Sequence, residues 1–358
     1  MNYPGRVAQL QERLISESVD ALLITHLPNV FYLTGFTGSA GNLLVFPQRV
    51  LFLTDGRYVE QASKEVSVAE IVAMKKGGLE ETAKILLRRR VKRGAFEARH
   101  VSFETAQDLK RRTRNKIRWQ SGSGWTEELR AVKSPEEVGA IESSLGLVEG
   151  AFEKTLLRVR PGVRERDLAA ELEFHMKKHG AQKVSFDLIV ASGPRSALPH
   201  GLASERRVGR NEFLVFDLGA ILRGYSSDFT RTVFVGRPTA KAREIYSVVK
   251  ESQECALAAV DAGVPASQID HLARRTIRKK GYGRYFVHST GHGIGIEVHE
   301  APAIGARSRA VLQAGNVIAV EPGIYVPGFG GVRIEDLALV GRHDSRILTQ
   351  TTKQLVTL

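Results

Sequence analysis

Residues 213–233 read FLVFDLGAILRGYSSDFTRTV, two apolar runs joined by a short polar turn, each carrying one aspartate. Phe, Leu and Val favour a pleated, half-buried surface, and the step between the runs has the length of a tight hairpin turn. With the turn centred on Leu222 and Arg223, Asp217 and Asp228 become direct cross-strand partners on one face, their Cβ atoms roughly 5 Å apart. Two carboxylates at that separation repel, and without compensation one of them must take up a proton.

Further along the chain the arrangement recurs. VIAVEPGIYV (317–326) and GVRIEDLALV (331–340) flank the turn-rich PGFGG (327–331), and a turn centred on Gly328 brings Glu321 opposite Glu335. A single acid in a strand is usually a solvent-facing residue. Two hairpins that each place an acidic pair in register among Val, Ile and Phe are not explained that way. The summed charge of four converging carboxylates is matched by two divalent cations, and oxygen-rich ligation completed by imidazole suits Mn²⁺, Co²⁺, Fe²⁺ or Zn²⁺. Between the hairpins lies HSTGHGIGIEVHE (288–300), which places three of the ten histidines within twelve positions. One of them is expected to be a ligand, with the glycines around it allowing close backbone approach.

The rest of the chain supplies two frames. An amphipathic helix from about Arg6 to Ser18 precedes short buried strands at ALLIT, NLLVF and VLFLTD and helical stretches around Val59 and Leu79, an α/β layer. A seam follows near TEELRAVKSPEEVGAIE, where Ser134 can cap a new helix, Pro135 takes its first position and Glu137 closes a capping box. Val138, Ile141, Leu145, Val148 and Phe152 then form one apolar stripe. RERDLAAELEFHMKKHG (164–180) reads as a second helix; its His175 and His179 lack the adjacent Glu of a zinc protease helix and read as surface or helix-end residues. Strands joined by hairpins, with two more helices between Ala242 and Lys280, make this part α+β. The expected domains are 1–130 and 131–358.

Composition limits the classes open to the chain. It has 358 residues, 42% hydrophobic and 25% charged, an ordinary globular balance. The N-terminus has no apolar run of secretory length, no stretch is long enough to span a bilayer, and the single Cys255 excludes an internal disulfide. A cytoplasmic location without membrane association is expected. The 52 Lys and Arg against 39 Asp and Glu give a charge of +13, gathered in runs such as RRRVKRG from Arg88 and KRRTRNK from Lys110. These lack interleaved aromatic residues and any known nucleic-acid module, so no nucleic-acid partner is expected.

Asp217, Asp228, HSTGHGIGIEVHE, EPGIY and VRIED stand in the order and approximate spacing of the pita-bread metallopeptidases, and the chain resembles the Xaa-Pro peptidases of the aminopeptidase P and prolidase group. That resemblance implies an α/β creatinase-like N-terminal domain followed by an α+β pita-bread catalytic domain. It implies two divalent metal ions, Mn²⁺ foremost and otherwise Co²⁺, Zn²⁺ or Fe²⁺. Asp217 would bind one ion, Asp228 and Glu335 would bridge both, and His292 with Glu321 would bind the other. His299, and with it His288, would donate to the oxyanion, His200 in SGPRSALPHG would be a further active-site histidine, Glu321 would shuttle protons, and Arg333 would steady the carboxylates. A water between the two metals becomes a hydroxide nucleophile near neutral pH.

The implied substrate is a proline-containing peptide cut at the Xaa-Pro bond, a tertiary amide without an N–H, and the expected assembly is a homodimer. Release of the N-terminal residue from longer peptides is the main expectation; a dipeptidase, with Arg307 or Arg309 holding the proline carboxylate, is the alternative. From another class, a catalytically dead binding protein on the same fold would have lost metal ligands, and none is lost. GHGIGIE lacks the strand, helix and distal acid of a dinucleotide site, and no G-x-S-x-G occurs for a serine hydrolase.

Overall fold

Asn2 accepts a hydrogen bond from the Gly5 N–H and proline occupies the first turn, so helix α1 (Tyr3–Ser16) begins three residues before the apolar spacing alone would start it. The computed structural model describes residues 1–74 and 78–358, and the chain divides into two units, Met1–Arg130 and Ala131–Leu358. In the first, α1 is followed by β1 (Ala21–Ile24), α2 (Leu27–Thr34), β2 (Asn42–Phe46), β3 (Arg49–Asp55), α3 (Val59–Glu65), β4 (Glu70–Met74), α4 (Gly78–Arg88), β5 (Arg93–Phe96), α5 (Phe103–Arg112), β6 (Arg118–Ser121) and α6 (Trp125–Ala131). One mixed sheet in the order β4-β3-β2-β1-β5-β6 carries this unit. The buried Leu23, Leu44, Leu53 and Leu86 form part of its core.

The second unit comprises α7 (Pro135–Leu156), α8 (Glu165–Lys178), β7 (Lys183–Val184), β8 (Ile189–Ser192), β9 (Glu212–Leu218), β10 (Ala220–Leu222), β11 (Tyr225–Ser226) and β12 (Phe229–Val235). It continues with α9 (Ala240–Leu257), α10 (Ala266–Lys279), β13 (Gly291–Gly293), β14 (Glu300–Ile304), β15 (Val317–Val320), β16 (Gly323–Val326), β17 (Gly330–Arg333), β18 (Asp336–Leu339) and β19 (Arg346–Ile347). The order of elements repeats: two helices, then antiparallel strands ending in a long hairpin. At the head of α7 the capping box of Ser134 and Glu137 forms in both directions. The stripe from Val138 to Phe152 is buried, and the Phe152 ring packs edge-on against Phe216 of β9 and Phe229 of β12. His179 caps the C-terminal end of α8, its Nδ1 donating to the His175 carbonyl.

Register decides where the acids point. In the first hairpin Thr230, not Asp228, lies opposite Asp217, and Leu222 pairs with Tyr225. The turn residues are Arg223 and Gly224, both with positive φ (52° and 79°), the primed geometry that suits two-residue hairpins. The turn therefore sits one position later than the sequence reading placed it, which moves each cross-strand partner by two. Side chains alternate with a period of two, so Asp228 keeps the same face as Asp217 despite the shift.

The second hairpin has the expected centre at Gly328. Gly323 pairs with Arg333 and Val320 with Asp336, one register running through both β16–β17 and β15–β18. Between those ladders the pairing opens at Glu321–Pro322 and Ile334–Glu335. Pro322 has no N–H to give, and the Glu321 N–H goes instead to the Thr290 carbonyl and that of Glu335 to the Thr230 carbonyl.

Residues beyond 348 bind back onto this framework. The N–H groups of Gln350 and Thr351 donate to Glu149 Oε1, and the Phe234 N–H donates to the Val356 carbonyl. Arg231, 2% exposed, donates to the carbonyls of Thr351, Thr352 and Glu335 and to the Asp336 carboxylate.

Candidate active site

The strand ends and the gap in the second hairpin converge on a pocket of about 550 Å³ whose lining includes Asp217, Asp228, His292, Glu321, His200, His288, His299 and Arg333. Glu335 lies beneath it, 1% exposed. His292 is carried by β13 between Gly291 and Gly293, where a Cβ at Gly291 would lie 1.9 Å from the Ala319 carbonyl oxygen and one at Gly293 2.1 Å from that of Ala301. Both positions therefore require glycine for close backbone packing.

The donor set fits a cation. His292 Nδ1 must donate to the Gly293 carbonyl (3.0 Å), which leaves Nε2 as a lone-pair acceptor. That nitrogen faces Asp228 Oδ2 and Glu321 Oε1, each 3.6 Å away. Asp228, His292 and Glu335 each offer a ligand atom, all within 4.8 Å of one another. Glu335 Oε2 accepts from the Thr230 hydroxyl at 2.9 Å, but its Oε1 is buried without a hydrogen-bond partner. Carboxylates and a ring nitrogen gathered this closely in a buried site are what a divalent ion compensates.

Electrostatics without the ion tell the same story. Burial first, then the Glu335, Asp217 and Glu321 carboxylates, push the Asp228 carboxyl well above its ordinary range, with Arg333 opposing. Glu335 is raised well above its ordinary value by burial and then by Glu321 and Asp217. Burial raises Glu321 to about 8 against the pull of Arg333. Burial and then His299 lower His292 to about 4, so the imidazole is neutral and able to ligate. Burial also works against the Arg333 charge, but Tyr325, Asp217 and Glu321 outweigh it and keep the guanidinium protonated.

The three remaining histidines are held differently. His288 is fully engaged: Nδ1 donates to the Ser289 carbonyl (2.7 Å) and Nε2 accepts from the Tyr325 hydroxyl (2.9 Å), which itself accepts from Arg333 Nη1 (2.7 Å). Burial and then Arg333 lower His288 to about 4. Neither of its nitrogens is left for an oxyanion in this arrangement. His299 stacks edge-on to His292 at 4.4 Å and His200 lines the pocket. Both are exposed.

Arg333 also donates to Asp217 Oδ2 and to the Thr230 hydroxyl (3.3 Å). Thr230 and Tyr325 were not singled out in the sequence. Thr230 stands two residues after Asp228, and Tyr325 four after Glu321 in EPGIY, so strand parity was the available signal. Arg307 and Arg309 are exposed and do not line the pocket.

A second cluster, His26, His100 and Glu127, also has ligand atoms within 4.8 Å. The two rings stack with centroids 3.6 Å apart and 7° between planes, so their in-plane lone pairs run side by side and do not meet at one ion.

The chain belongs to metallopeptidase family M24, whose model matches residues 140–342, while residues 6–132 match the creatinase/prolidase N-terminal domain. Its architecture is accordingly a creatinase-type N-terminal domain and a pita-bread catalytic domain. Among relatives, an Xaa-Pro dipeptidase of Pyrococcus horikoshii is 38% identical over 98% of both chains. A solved structure of an Xaa-Pro dipeptidase from Bacillus anthracis superposes with a TM-score of 0.96 at 41% identity, covering 100% of each chain. An X-Pro aminopeptidase from Thermotoga maritima gives 0.90 at 38% identity, over 97% of this chain and 99% of the other. No helix among the described residues is long and apolar enough to cross a membrane.

Proposed function

We propose that this chain is a metal-dependent Xaa-Pro peptidase that releases the N-terminal residue from peptides with proline in second position. The observation that carries the reading is the unpaired set of acceptors, with His292 Nε2 facing Asp228 and Glu321 at 3.6 Å above the partnerless Glu335 Oε1. Asp217, Asp228, His292, Glu321 and Glu335 would hold two divalent ions, Mn²⁺ foremost. When bound, such ions supply a Lewis acid for the scissile carbonyl and an acidified water near neutral pH.

The protein's own groups do the rest. Arg333 holds Asp217 through one arm and Tyr325 through another, which fixes the carboxylate's direction. Glu321, whose Oε1 faces His292 Nε2 at 3.6 Å, takes and returns the proton that must reach the leaving proline nitrogen. His299 and His200 offer hydrogen-bond donors to a carbonyl oxygen that becomes negative. His288 positions Tyr325. A homodimer in the cytoplasm is the setting we infer for this activity.

A dipeptidase is the second reading, favoured by the names of the Pyrococcus and Bacillus relatives. Binding a dipeptide by its proline carboxylate calls for a free cation. Among the described residues that line the pocket, Arg333 is the only Lys or Arg, and that guanidinium is committed to Asp217, Tyr325 and the Pro199 carbonyl. This favours substrates that continue past proline. Incubation with Mn²⁺ and a matched pair, Xaa-Pro and Xaa-Pro-Xaa, followed by product identification, tests both. Release of the first residue from the longer peptide is expected; cleavage of the dipeptide alone makes the protein a prolidase, and cleavage of neither overturns the peptidase reading.

A further inference from the structure

All the donors that satisfy one buried carboxylate outside the metal-site acids come from a single stretch of chain. Glu165 opens α8 and is 0% exposed. Its Oε1 accepts from the Ser192 N–H and hydroxyl, both at 2.8 Å. Its Oε2 accepts from Arg195 Nη1 at 2.5 Å, the Ser204 hydroxyl at 2.6 Å and the Ser204 N–H at 3.1 Å. A buried charge needs such compensation, but it could be drawn from anywhere nearby. Here it ties the first and last residues of the segment 192–204 to one point.

Between the ties the segment is held at a few points: Ser196, 1% exposed, accepts from the Gly331 N–H at 2.8 Å, and Leu202 bridges to Ile189. A short 3-10 turn spans Gly193–Ala197; beyond it lie Leu198, Pro199, His200 and Gly201. Arg195 Nη2 reaches across the loop to the Leu202 carbonyl at 2.9 Å, so the same guanidinium that binds Glu165 also closes the loop around His200. Arg333 Nη1 binds the Pro199 carbonyl at 3.1 Å. The backbone that carries the exposed His200 is therefore held on both sides, which sets where its side chain starts from.

We propose that Glu165 is a positioning residue for His200, fixing the Ser192–Ser204 loop that holds this histidine at the pocket. The inference rests on the peptidase reading above. A displacement of about 1 Å in a catalytic group is enough to cost two orders of magnitude in rate, so the clamp is testable through kinetics.

Hydrolysis of an Xaa-Pro-Xaa peptide by the Mn²⁺-loaded protein is compared among wild type, Glu165→Gln, His200→Ala and the double variant, with metal content measured for each. Glu165→Gln is expected to lower kcat/KM by about 10- to 100-fold with metal content unchanged. In the His200→Ala background the same change is expected to cost less than about twofold, because an effect exerted through His200 vanishes when His200 is gone. An equal loss in both backgrounds, or no loss in either, overturns the proposal. Ser204→Ala keeps the carboxylate and removes one hydroxyl donor; it replaces Glu165→Gln in the cycle if that variant does not fold. Amide hydrogen exchange separates this inference from the reading beneath it. Faster exchange confined to residues 193–203 in the Glu165 or Ser204 variant is expected even if wild type cleaves no Xaa-Pro peptide, and unchanged exchange there sinks the clamp.

Discussion

Thr230 places one hydroxyl between two charges: it donates to Glu335 and accepts from Arg333. Thr230→Val keeps the shape and removes both bonds, leaving a second oxygen of Glu335 unsatisfied. Metal affinity or kcat is expected to fall by about tenfold, with a stability loss of about 1–3 kcal/mol in the metal-free protein; isothermal titration with Mn²⁺ and urea unfolding read the two. Wild-type affinity would show that the hydroxyl is incidental. The acids and histidines were legible because their types are costly among Val and Ile and so call for an explanation. Thr230 and Tyr325 were not, since both are ordinary strand residues whose partners appear only once the strands are paired. His288 and His299 looked alike in the sequence, and only Tyr325 and the Ser289 carbonyl separate the engaged ring from the available one.

Elements place these residues through register. The expected alternation survived a misplaced turn in the first hairpin because a shift of two preserves facing. VIAVEPGIYV read as one strand and is two, and the reason is physical: Pro322 cannot join a ladder, so the sheet parts where Glu321 and Glu335 need room. His292 depends on another close fit. Gly291→Ala would drive a methyl to 1.9 Å from the Ala319 oxygen, so β13 must move away from β15. A loss of about 1–3 kcal/mol is expected, with weakened metal retention, measured by urea midpoint and metal content after gel filtration; a variant as stable and as metal-rich as wild type would contradict the packing described. Helix starts were legible where caps were present, as at Ser134. At α1 the side-chain cap from Asn2 lay outside the apolar pattern and shifted the start.

For the whole molecule, the buried acids couple metal binding to stability. A carboxyl whose folded value is raised contributes stability that is present below its unfolded value and lost as pH climbs to the folded one. For Glu321 this window runs from the ordinary 4.5 to about 8, with Asp228 and Glu335 acting in the same direction. Neutral His288 and His292, lowered to about 4, act oppositely, but only below their ordinary 6.5. Between about pH 6.5 and 8 the acids act alone. The Tm of the metal-free protein is therefore expected to fall across that interval, and the gain on adding Mn²⁺ to grow; a metal-free Tm that is flat or rises there would count against the buried acids. The repeated helix-helix-hairpin order was invisible in the sequence, because what recurs is placement and the two hairpins share almost no residues. The stretch beyond 348 was equally silent, a polar run without periodicity that acquires meaning through its partners Arg231, Glu149 and Phe234.

That tail has a consequence for how the protein is made. Arg231 grips the carbonyl of Glu335 with the same guanidinium that holds Thr351 and Thr352. A ribosome delivers those two threonines after every pocket residue has been synthesised. A nascent chain thus carries its carboxylates without this brace until residues 351 and 352 have been added.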